Sequence, residues 1–164
     1  MSKYYIGLGA NLNDRVSTIR QAVDQLKHTP GFTVTASSTL YESPPWGKTD
    51  QPPFINGVVA VDTQLDPETV LDRCLEIEQS LGRIRHEKWG PRTIDLDLLY
   101  AQDIIINTER LTLPHPFLTE RAFVLVPLAE IATNIYYQGK PFSWYRDRLS
   151  NSKTIRSIEN IDLP

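Results

Sequence analysis

Two aspartates interrupt an apolar stretch in residues 88–97, which read KWGPRTIDLD. The side chains of a β-strand alternate between its two faces, so Asp95 and Asp97 would share one face at a separation of roughly 6.6 Å. Two unit charges at that distance repel each other by about 2.5 kcal/mol at an effective dielectric constant of about 20. The pattern therefore requires a positive partner, either a neighbouring basic side chain or a bound divalent cation.

Basic side chains are concentrated in the connection just before these aspartates, at Arg83, Arg85, Lys88 and Arg92. A planar guanidinium binds phosphate oxygens in pairs, and Mg²⁺ binds carboxylates while keeping water and phosphate oxygens among its ligands. Carboxylates that could hold a metal, beside arginines that could hold phosphates, are typical of phosphoryl transfer. A solvated sheet face, with the aspartates paired to Arg92 or Lys88, is the alternative that the pattern leaves open.

Composition and motifs exclude several other classes of protein. The single cysteine, Cys74, excludes an internal disulfide bond and a cysteine-based metal cage. A formal net charge of -3 gives no overall attraction to nucleic acid or to anionic membranes. The chain contains no P-loop motif, and Gly7-Leu8-Gly9 fails as a dinucleotide-binding fingerprint because Leu12 stands in place of the third glycine.

The length of the chain and its first residues predict its organisation. A chain of 164 residues is long enough for a sizeable core, and we expect a single domain over residues 1–164. The N-terminal stretch MSKYYIGLGAN lacks the apolar run of a signal peptide or a transmembrane helix. We therefore expect a cytoplasmic protein, and since no feature demands an oligomer, we expect a monomer.

The spacing of apolar residues predicts an α+β fold with the element order β-α-β-β-α-β, which is the ferredoxin-like pattern of an antiparallel sheet flanked by helices. One helix is expected to begin after Asn13 or Asp14 and to end at Pro30. The second is expected to begin after Asp66 and to end at Gly82. Strands are predicted over residues 4–8, 33–42, 54–62 and 93–101.

Further features concern the fourth strand, one loop and the C-terminal third. In the fourth strand, Ile94, Leu96, Leu98 and Tyr100 are expected on the face opposite to the aspartates. The prolines within residues 43–54 predict a stiff loop, and a long loop in a compact domain is usually functional or disordered. The C-terminal third is expected to add a short apolar run at 104–106, a turn at 113–117, a helix at 122–132 and a polar tail.

The segment KWGPRTIDLD resembles the signature of the 6-hydroxymethyl-7,8-dihydropterin pyrophosphokinase family. Five more blocks are similar to those of the family and stand in the same order. The resemblance implies transfer of the terminal diphosphate of ATP to the hydroxymethyl group of a pterin, with release of AMP, in folate biosynthesis. The five blocks are GLGANL at 7–12, YESPP at 41–45, QPPFINGV at 51–58, EQSLGRIR at 78–85 and RLTLPHP at 110–116.

The resemblance also implies roles for individual residues. Asp95 and Asp97 would bind two Mg²⁺ ions that bridge the ATP phosphates and the pterin hydroxyl, and Arg83 and Arg92 would approach the phosphates. The residues implied to surround ATP are Glu78, Arg85, Trp89, Arg92, Leu98, Arg110, Thr112, His115 and Arg121. Those implied to bind the pterin are Ser43, Pro44, Trp46, Phe54, Asn56, Asp95 and Phe123, with the flat ring stacked between Phe54 and Phe123.

The chain departs from residues common in the family at Trp46, Leu75 and Pro116, and no residue stands out as a general base. On the residues alone, a non-catalytic ferredoxin-like binding module remains open, because a fold by itself fixes no activity. An RNA-binding domain or a metal-dependent nuclease would need a continuous basic face with exposed aromatics, which the net charge of -3 does not favour.

Overall fold

The computed structural model describes residues 1–10, 14–43, 53–82 and 94–160. The sequence-predicted features at Pro44, Trp46 and Leu12 lie outside these ranges. Within them, none of the helices combines the length and the apolar character needed to cross a membrane. The helices are α1 Arg15–His28, α2 Pro67–Ser80, α3 Ala122–Ile131 and α4 Phe142–Arg148, followed by a 3₁₀ helix at Ser150–Thr154.

A central antiparallel sheet carries the fold. Its strands lie in the order β10-β3-β4-β1-β5, and β2 also pairs with β4. The four strands and two helices of the predicted core have the connectivity of a ferredoxin-like domain, so the predicted fold class is confirmed. The strands are β1 Ser2–Ala10, β2 Phe32–Ser37, β3 Thr39–Ser43, β4 Phe54–Thr63, β5 Asp95–Ala101, β6 Ile106–Asn107, β7 Thr112–Leu113, β8 Tyr136–Tyr137, β9 Lys140–Pro141 and β10 Arg156–Asn160.

Helices α1 and α2 begin where the sequence indicates. The carboxylate of Asp14 caps α1 by accepting a hydrogen bond from the backbone N–H of Ser17 at 3.2 Å. Asp66 precedes α2, and Pro67 takes its first position, where a missing N–H costs nothing. After α2 the chain turns at Gly82, whose φ of +82° lies in the left-handed region that favours glycine.

The sheet separates two hydrophobic cores. Helices α1 and α2 cover one face, where Ile19 and Cys74 pack against strand residues such as Ile6. Helices α3 and α4 cover part of the other face, where Leu125 and Phe142 pack against Tyr5, Val58 and Leu99. Helix α3 begins at Ala122 and packs against β3 and β4.

The single strand predicted over residues 33–42 is wrong, because the structure has two strands, β2 and β3, on either side of Ser38. The buried Ser38 donates its backbone N–H to the carbonyl of Val58 at 2.9 Å. The hydroxyl of Ser38 accepts the backbone N–H of Val58, also at 2.9 Å. A side-chain oxygen thus replaces a backbone carbonyl in the ladder, which shifts the register while both strands stay paired with β4.

The expected placement of Tyr100 with Leu96 and Leu98 is also wrong. Tyr5 pairs with Tyr100 and Ile6 pairs with Leu98, so Leu99 is an extra residue in a β-bulge. The bulge reverses the alternation of faces, and Tyr100 therefore packs on the α3 side rather than with Leu96 and Leu98. Strand β5 begins at Asp95, two residues later than predicted.

The C-terminal residues that were expected to form only a polar tail contain regular structure. Helix α4 packs on the second core through Phe142, and β10 pairs antiparallel with β3 at the edge of the main sheet. Every residue of β10 is exposed, so the strand has no buried face. Apolar periodicity cannot reveal such a strand, because backbone pairing and ion pairs hold it in place.

Candidate active site

A cavity of about 410 Å³ opens between the central sheet and the first turn of α3. This volume is in the range of small-molecule sites. Strands β1, β3, β4 and β5 supply its floor, and residues 120–124 supply a wall. The sequence-predicted residues that line this cavity are Ser43, Phe54, Asn56, Asp95, Asp97, His115, Arg121 and Phe123.

The floor of the cavity is built from cross-strand rows that contain glycine. Gly9 of β1 pairs with Asp95 on one side and with Asn56 on the other. Gly7 of β1 pairs with Asp97 in the same way. Because glycine has no side chain, nothing on β1 covers the two carboxylates, and Asp95 is half-buried while Asp97 is exposed. The predicted alternation that puts both aspartates on one face is confirmed by their shared cavity.

The amide of Asn56 is fixed from two directions. The hydroxyl of Ser43 donates to Asn56 Oδ1 at 3.1 Å. Asn56 Nδ2 lies over Gly9 so closely that a Cβ built on Gly9 would stand 2.8 Å from it. The side chain can occupy this position only because Gly9 lacks a Cβ, and its amide is oriented before any ligand binds.

His115 is held at the cavity by the β5 bulge. Its backbone N–H donates to the carbonyl of Leu99 at 2.8 Å. The ring nitrogen Nδ1 accepts the backbone N–H of Phe117 at 3.1 Å, which leaves the proton of the neutral ring on Nε2. Burial lowers the pKa of His115, and the nearby Arg121 guanidinium lowers this pKa further. His115 is therefore a neutral N–H donor near pH 7.

Arg121 stands at the start of α3 among aromatic rings. Its guanidinium carbon lies 4.6 Å from the ring centroid of Phe117 and 5.7 Å from that of Phe123. A cation over an aromatic face is attracted by the ring quadrupole, so these contacts keep the positive charge beside Phe123. The N-terminal end of a helix also favours anions, since its first N–H groups have no partners within the helix.

The two carboxylates fit a magnesium site. Mg²⁺ is usually held in proteins by one or two carboxylates and completes its octahedron with water and substrate phosphates. Asp95 and Asp97 provide such a pair in a cavity that admits a ligand. Among the residues that the structure describes, no group of three or more His, Cys, Asp or Glu side chains could form a protein-only metal cage.

Four residues implied to contact ATP do not line this cavity. Glu78 is buried beside β5, and its carboxylate accepts the backbone N–H of Leu96 at 2.7 Å. Leu98 belongs to the core on the opposite face of the sheet. Arg110 is ion-paired with Asp72, and Thr112 lies on β7, where it pairs with Asn107. The predicted residues Pro44, Trp46, Arg83, Arg85, Trp89 and Arg92 lie outside the described ranges.

Several residues that line the cavity were not predicted from the sequence. The lining includes Gly7, Gly9, Asn151, Thr154 and Ile155. The two glycines have a signal in the sequence, since their spacing of two residues puts them on one face of a predicted strand. The three C-terminal residues have none, because they lie far along the chain in a polar segment without periodicity.

Comparison with known proteins identifies relatives of the chain. Residues 5–133 match the family model described as 7,8-dihydro-6-hydroxymethylpterin-pyrophosphokinase (HPPK). The 2-amino-4-hydroxy-6-hydroxymethyldihydropteridine pyrophosphokinase of Methylorubrum extorquens is 50% identical over 140 residues, which is 85% of this chain and 89% of the relative. The protein of the same name from Bacillus subtilis is 47% identical over 131 residues, 80% of this chain and 78% of the relative.

Solved structures support the fold. A crystal structure of Plasmodium falciparum HPPK-DHPS with SDX-DHP superposes with a TM-score of 0.69 at 15% identity and covers 93% of this chain. An HPPK-DHPS in complex with substrates gives a TM-score of 0.73 at 12% identity over 96% of this chain. This chain spans 44% and 48% of the length of those two proteins, so the likeness concerns one part of each. Together with the family match, these relationships confirm the resemblance, and the chain belongs to the 7,8-dihydro-6-hydroxymethylpterin-pyrophosphokinase family.

Proposed function

We propose that this protein transfers the terminal diphosphate of ATP to 6-hydroxymethyl-7,8-dihydropterin, giving AMP and the pterin diphosphate used in folate biosynthesis. Family membership supports the reaction class. The observation that carries the proposal is the row Asp95–Gly9–Asn56 in one cavity, because it joins a metal-binding group to an oriented amide. A hydroxyl on a ring held at Asn56 then faces phosphates held at the aspartates.

The pterin end of the cavity is proposed to lie at Ser43, Phe54, Asn56 and Phe123. A pterin is a planar ring with apolar faces and a polar edge, so aromatic rings suit its faces and a fixed amide suits its edge. The hydrogen bond from Ser43 to Asn56 Oδ1 leaves the amide Nδ2 to donate to a ring acceptor. Pro44 and Trp46 are included on the family resemblance.

The metal end is proposed to lie at Asp95 and Asp97, which would hold two Mg²⁺ ions together with the ATP phosphates. Bound Mg²⁺ would neutralise the charge that develops on the phosphate oxygens during transfer. Both aspartates lie on β5, which is paired with β1, so their carboxylates need little rearrangement to bind the metal ions. Dependence on magnesium is part of this proposal.

The ATP phosphates are proposed to meet donors from the other side of the cavity. His115 offers a neutral Nε2–H, and Arg121 offers a guanidinium held by Phe117 and Phe123. Arg83 and Arg92 join them on the resemblance, in which both approach the phosphates. We also propose the remaining ATP contacts that the resemblance implies, which are Glu78, Arg85, Trp89, Leu98, Arg110 and Thr112.

The organisation of the protein is part of the proposal as well. We propose a single domain over residues 1–164, a cytoplasmic location and a monomeric state.

The proposal is tested by incubating the protein with ATP, MgCl₂ and 6-hydroxymethyl-7,8-dihydropterin and separating the nucleotides. We expect AMP to form only when the pterin and Mg²⁺ are both present. Formation of ADP instead of AMP would indicate transfer of a single phosphoryl group. AMP formation at the same rate without the pterin would indicate hydrolysis. Either result would overturn the proposed reaction.

A further inference from the structure

The C-terminal segment 151–155 forms one wall of the cavity. Asn151, Thr154 and Ile155 line the same space as Asn56 and Phe123. The family model matches only as far as residue 133, so this wall is built by a part of the chain beyond the match. The segment has no role in the site derived from the resemblance, yet it borders the ligand space.

The sheet order decides which end of the cavity this wall borders. The segment leads directly into β10, which pairs with β3, the strand that ends at Ser43. In the order β10-β3-β4-β1-β5, strand β10 lies four strand spacings from β5, roughly 19 Å, and two from β4, roughly 10 Å. The wall therefore lies beside Ser43 and closer to Asn56 than to Asp95 and Asp97.

The wall is fixed to the body of the protein on both sides. Arg156 is ion-paired with Glu42, the residue before Ser43. Further along β10, Arg20 of α1 is ion-paired with Glu159 at 2.7 Å. On the other side the Ser152 hydroxyl donates to the carbonyl of Arg146 in α4 at 2.6 Å. The segment is thus anchored rather than loosely laid over the cavity.

We propose that Ile155 is a substrate-binding residue whose apolar side chain contacts the pterin ring. The proposal rests on the proposed function, whose pterin end lies at Asn56 and Phe123. Ile155 is half-buried at the cavity, whereas Asn151 and Thr154 are exposed. Its apolar side chain suits the apolar ring faces, and the Thr154 hydroxyl is already committed to a backbone carbonyl. Ile155 therefore supplies the apolar surface of this wall.

The test uses the full chain with Ile155→Ala and, as a matched control, Ile158→Ala. Ile158 is an isoleucine of the adjoining strand β10, is 42% exposed and does not line the cavity. Affinity for 6-hydroxymethyl-7,8-dihydropterin is measured with Mg²⁺ and a saturating non-hydrolysable ATP analogue, and affinity for the analogue is measured alone. We expect I155A to weaken pterin binding by roughly three- to tenfold through lost apolar contact. Binding of the analogue alone should stay within about twofold of the wild type, because the lost contact is at the pterin end.

The binding measurements show whether Ile155 contacts the pterin. Equal pterin affinity of I155A and I158A would overturn the role of Ile155, and so would an equal loss of analogue and pterin binding. If I155A fails to fold, Ile155→Val removes a single methylene group and should give a smaller loss of pterin affinity; no loss would overturn the role. Wild-type protein that neither binds the pterin nor forms AMP would overturn the proposed function itself, which the wild-type control reports separately.

Discussion

Asn56 and Asp95 lie on opposite sides of Gly9 in one cross-strand row, so the oriented amide and the carboxylate are two strand spacings apart. Two spacings amount to roughly 10 Å. This relationship joins the proposed pterin end to the proposed metal end through backbone pairing alone. Rigid strands hold such a geometry better than loops do, so the separation should change little when ligands bind.

Replacing Gly9 by alanine tests this row. The new Cβ would stand 2.8 Å from Asn56 Nδ2, so the amide must leave its position. We expect G9A to lower pterin affinity about tenfold, the effect of one lost hydrogen bond of roughly 1.4 kcal/mol. Isothermal titration in the presence of Mg²⁺ and an ATP analogue measures it.

Gly7→Ala is the matched control for G9A. A Cβ on Gly7 would stand 3.2 Å from a terminal methyl carbon of Leu99, which can shift more easily than an amide held by Ser43. We expect pterin affinity of G7A within about threefold of the wild type. A larger loss in G7A than in G9A would contradict the account of Asn56.

Charge-neutral replacement of the aspartates tests the metal end. Asp95→Asn and Asp97→Asn keep the size of each side chain but remove the charge that attracts Mg²⁺. We expect each to lower kcat roughly 100-fold or more, since metal coordination supplies several kcal/mol of charge stabilisation. Circular dichroism should show an intact fold in both variants.

Asp62→Asn provides a control for the loss of one negative charge. Asp62 is ion-paired with Lys3 at 3.0 Å and does not line the cavity. Its turnover should match that of the wild type. Normal turnover in D95N or D97N would contradict the metal assignment.

The sequence predicts the ferredoxin-like core well because its signals are local. Apolar periodicity reveals α1 and α2, and β-branched runs reveal β1 and β4. The break at Ser38 and the bulge at Leu99 could not be predicted, since each depends on the register between strands that are distant in sequence. The exposed strand β10 could not be predicted either, because its stability comes from pairing with β3.

The residues of the candidate site also differ in how clearly the sequence indicates them. Asp95 and Asp97 were identifiable because two charges in an apolar strand are unusual, and the structure brings both to the cavity. Asn56 and Phe123 were suggested only by the family resemblance, since an asparagine or a phenylalanine alone has an ordinary structural explanation. The resemblance implies that Glu78 contacts ATP, whereas in the structure its carboxylate accepts a hydrogen bond from the backbone N–H of Leu96.

The hydrogen bond between Glu78 and Leu96 is expected to stabilise the folded protein. Leu96 lies between the two aspartates on β5, the edge strand of the sheet, and its N–H is satisfied by the Glu78 carboxylate. We expect Glu78→Ala to lower the free energy of unfolding by about 1–3 kcal/mol, because a buried N–H loses its acceptor. Glu78→Gln retains an oxygen acceptor and should lose less.

Glu76→Ala is the control on the same helix. Glu76 is exposed and paired with Arg73, so its removal should change the unfolding free energy by less than about 0.5 kcal/mol. Urea denaturation measures all three variants. Equal stability of E78A and E76A would contradict a structural role of Glu78.

The depressed pKa of His115 predicts a loss of stability in acid. Burial and Arg121 favour the neutral ring in the folded protein, so the unfolded chain binds the proton more readily. The contribution of His115 to stability is therefore fully present above its ordinary pKa of 6.5 and is lost as the pH falls through the lower folded value. Urea denaturation from pH 8 to pH 5 should reveal a smaller loss in His115→Asn than in the wild type.

Titration of His115 followed by proton NMR measures the pKa of its ring directly. Arg121→Gln should raise the pKa of His115 but leave it below the ordinary value, because burial is the larger cause. A His115 pKa at or above its ordinary value in the wild type would contradict the assignment of Nε2–H as a neutral donor.

Following both products of one ATP molecule distinguishes diphosphate transfer to the pterin from hydrolysis. ATP labelled at the γ-phosphorus is incubated with Mg²⁺, the reduced hydroxymethylpterin and the protein, and AMP and labelled pterin are quantified together. We expect one AMP per labelled pterin diphosphate, with both products formed roughly 100-fold or more slowly in D95N and D97N. Label appearing as free diphosphate or orthophosphate, with the pterin unchanged, would contradict it.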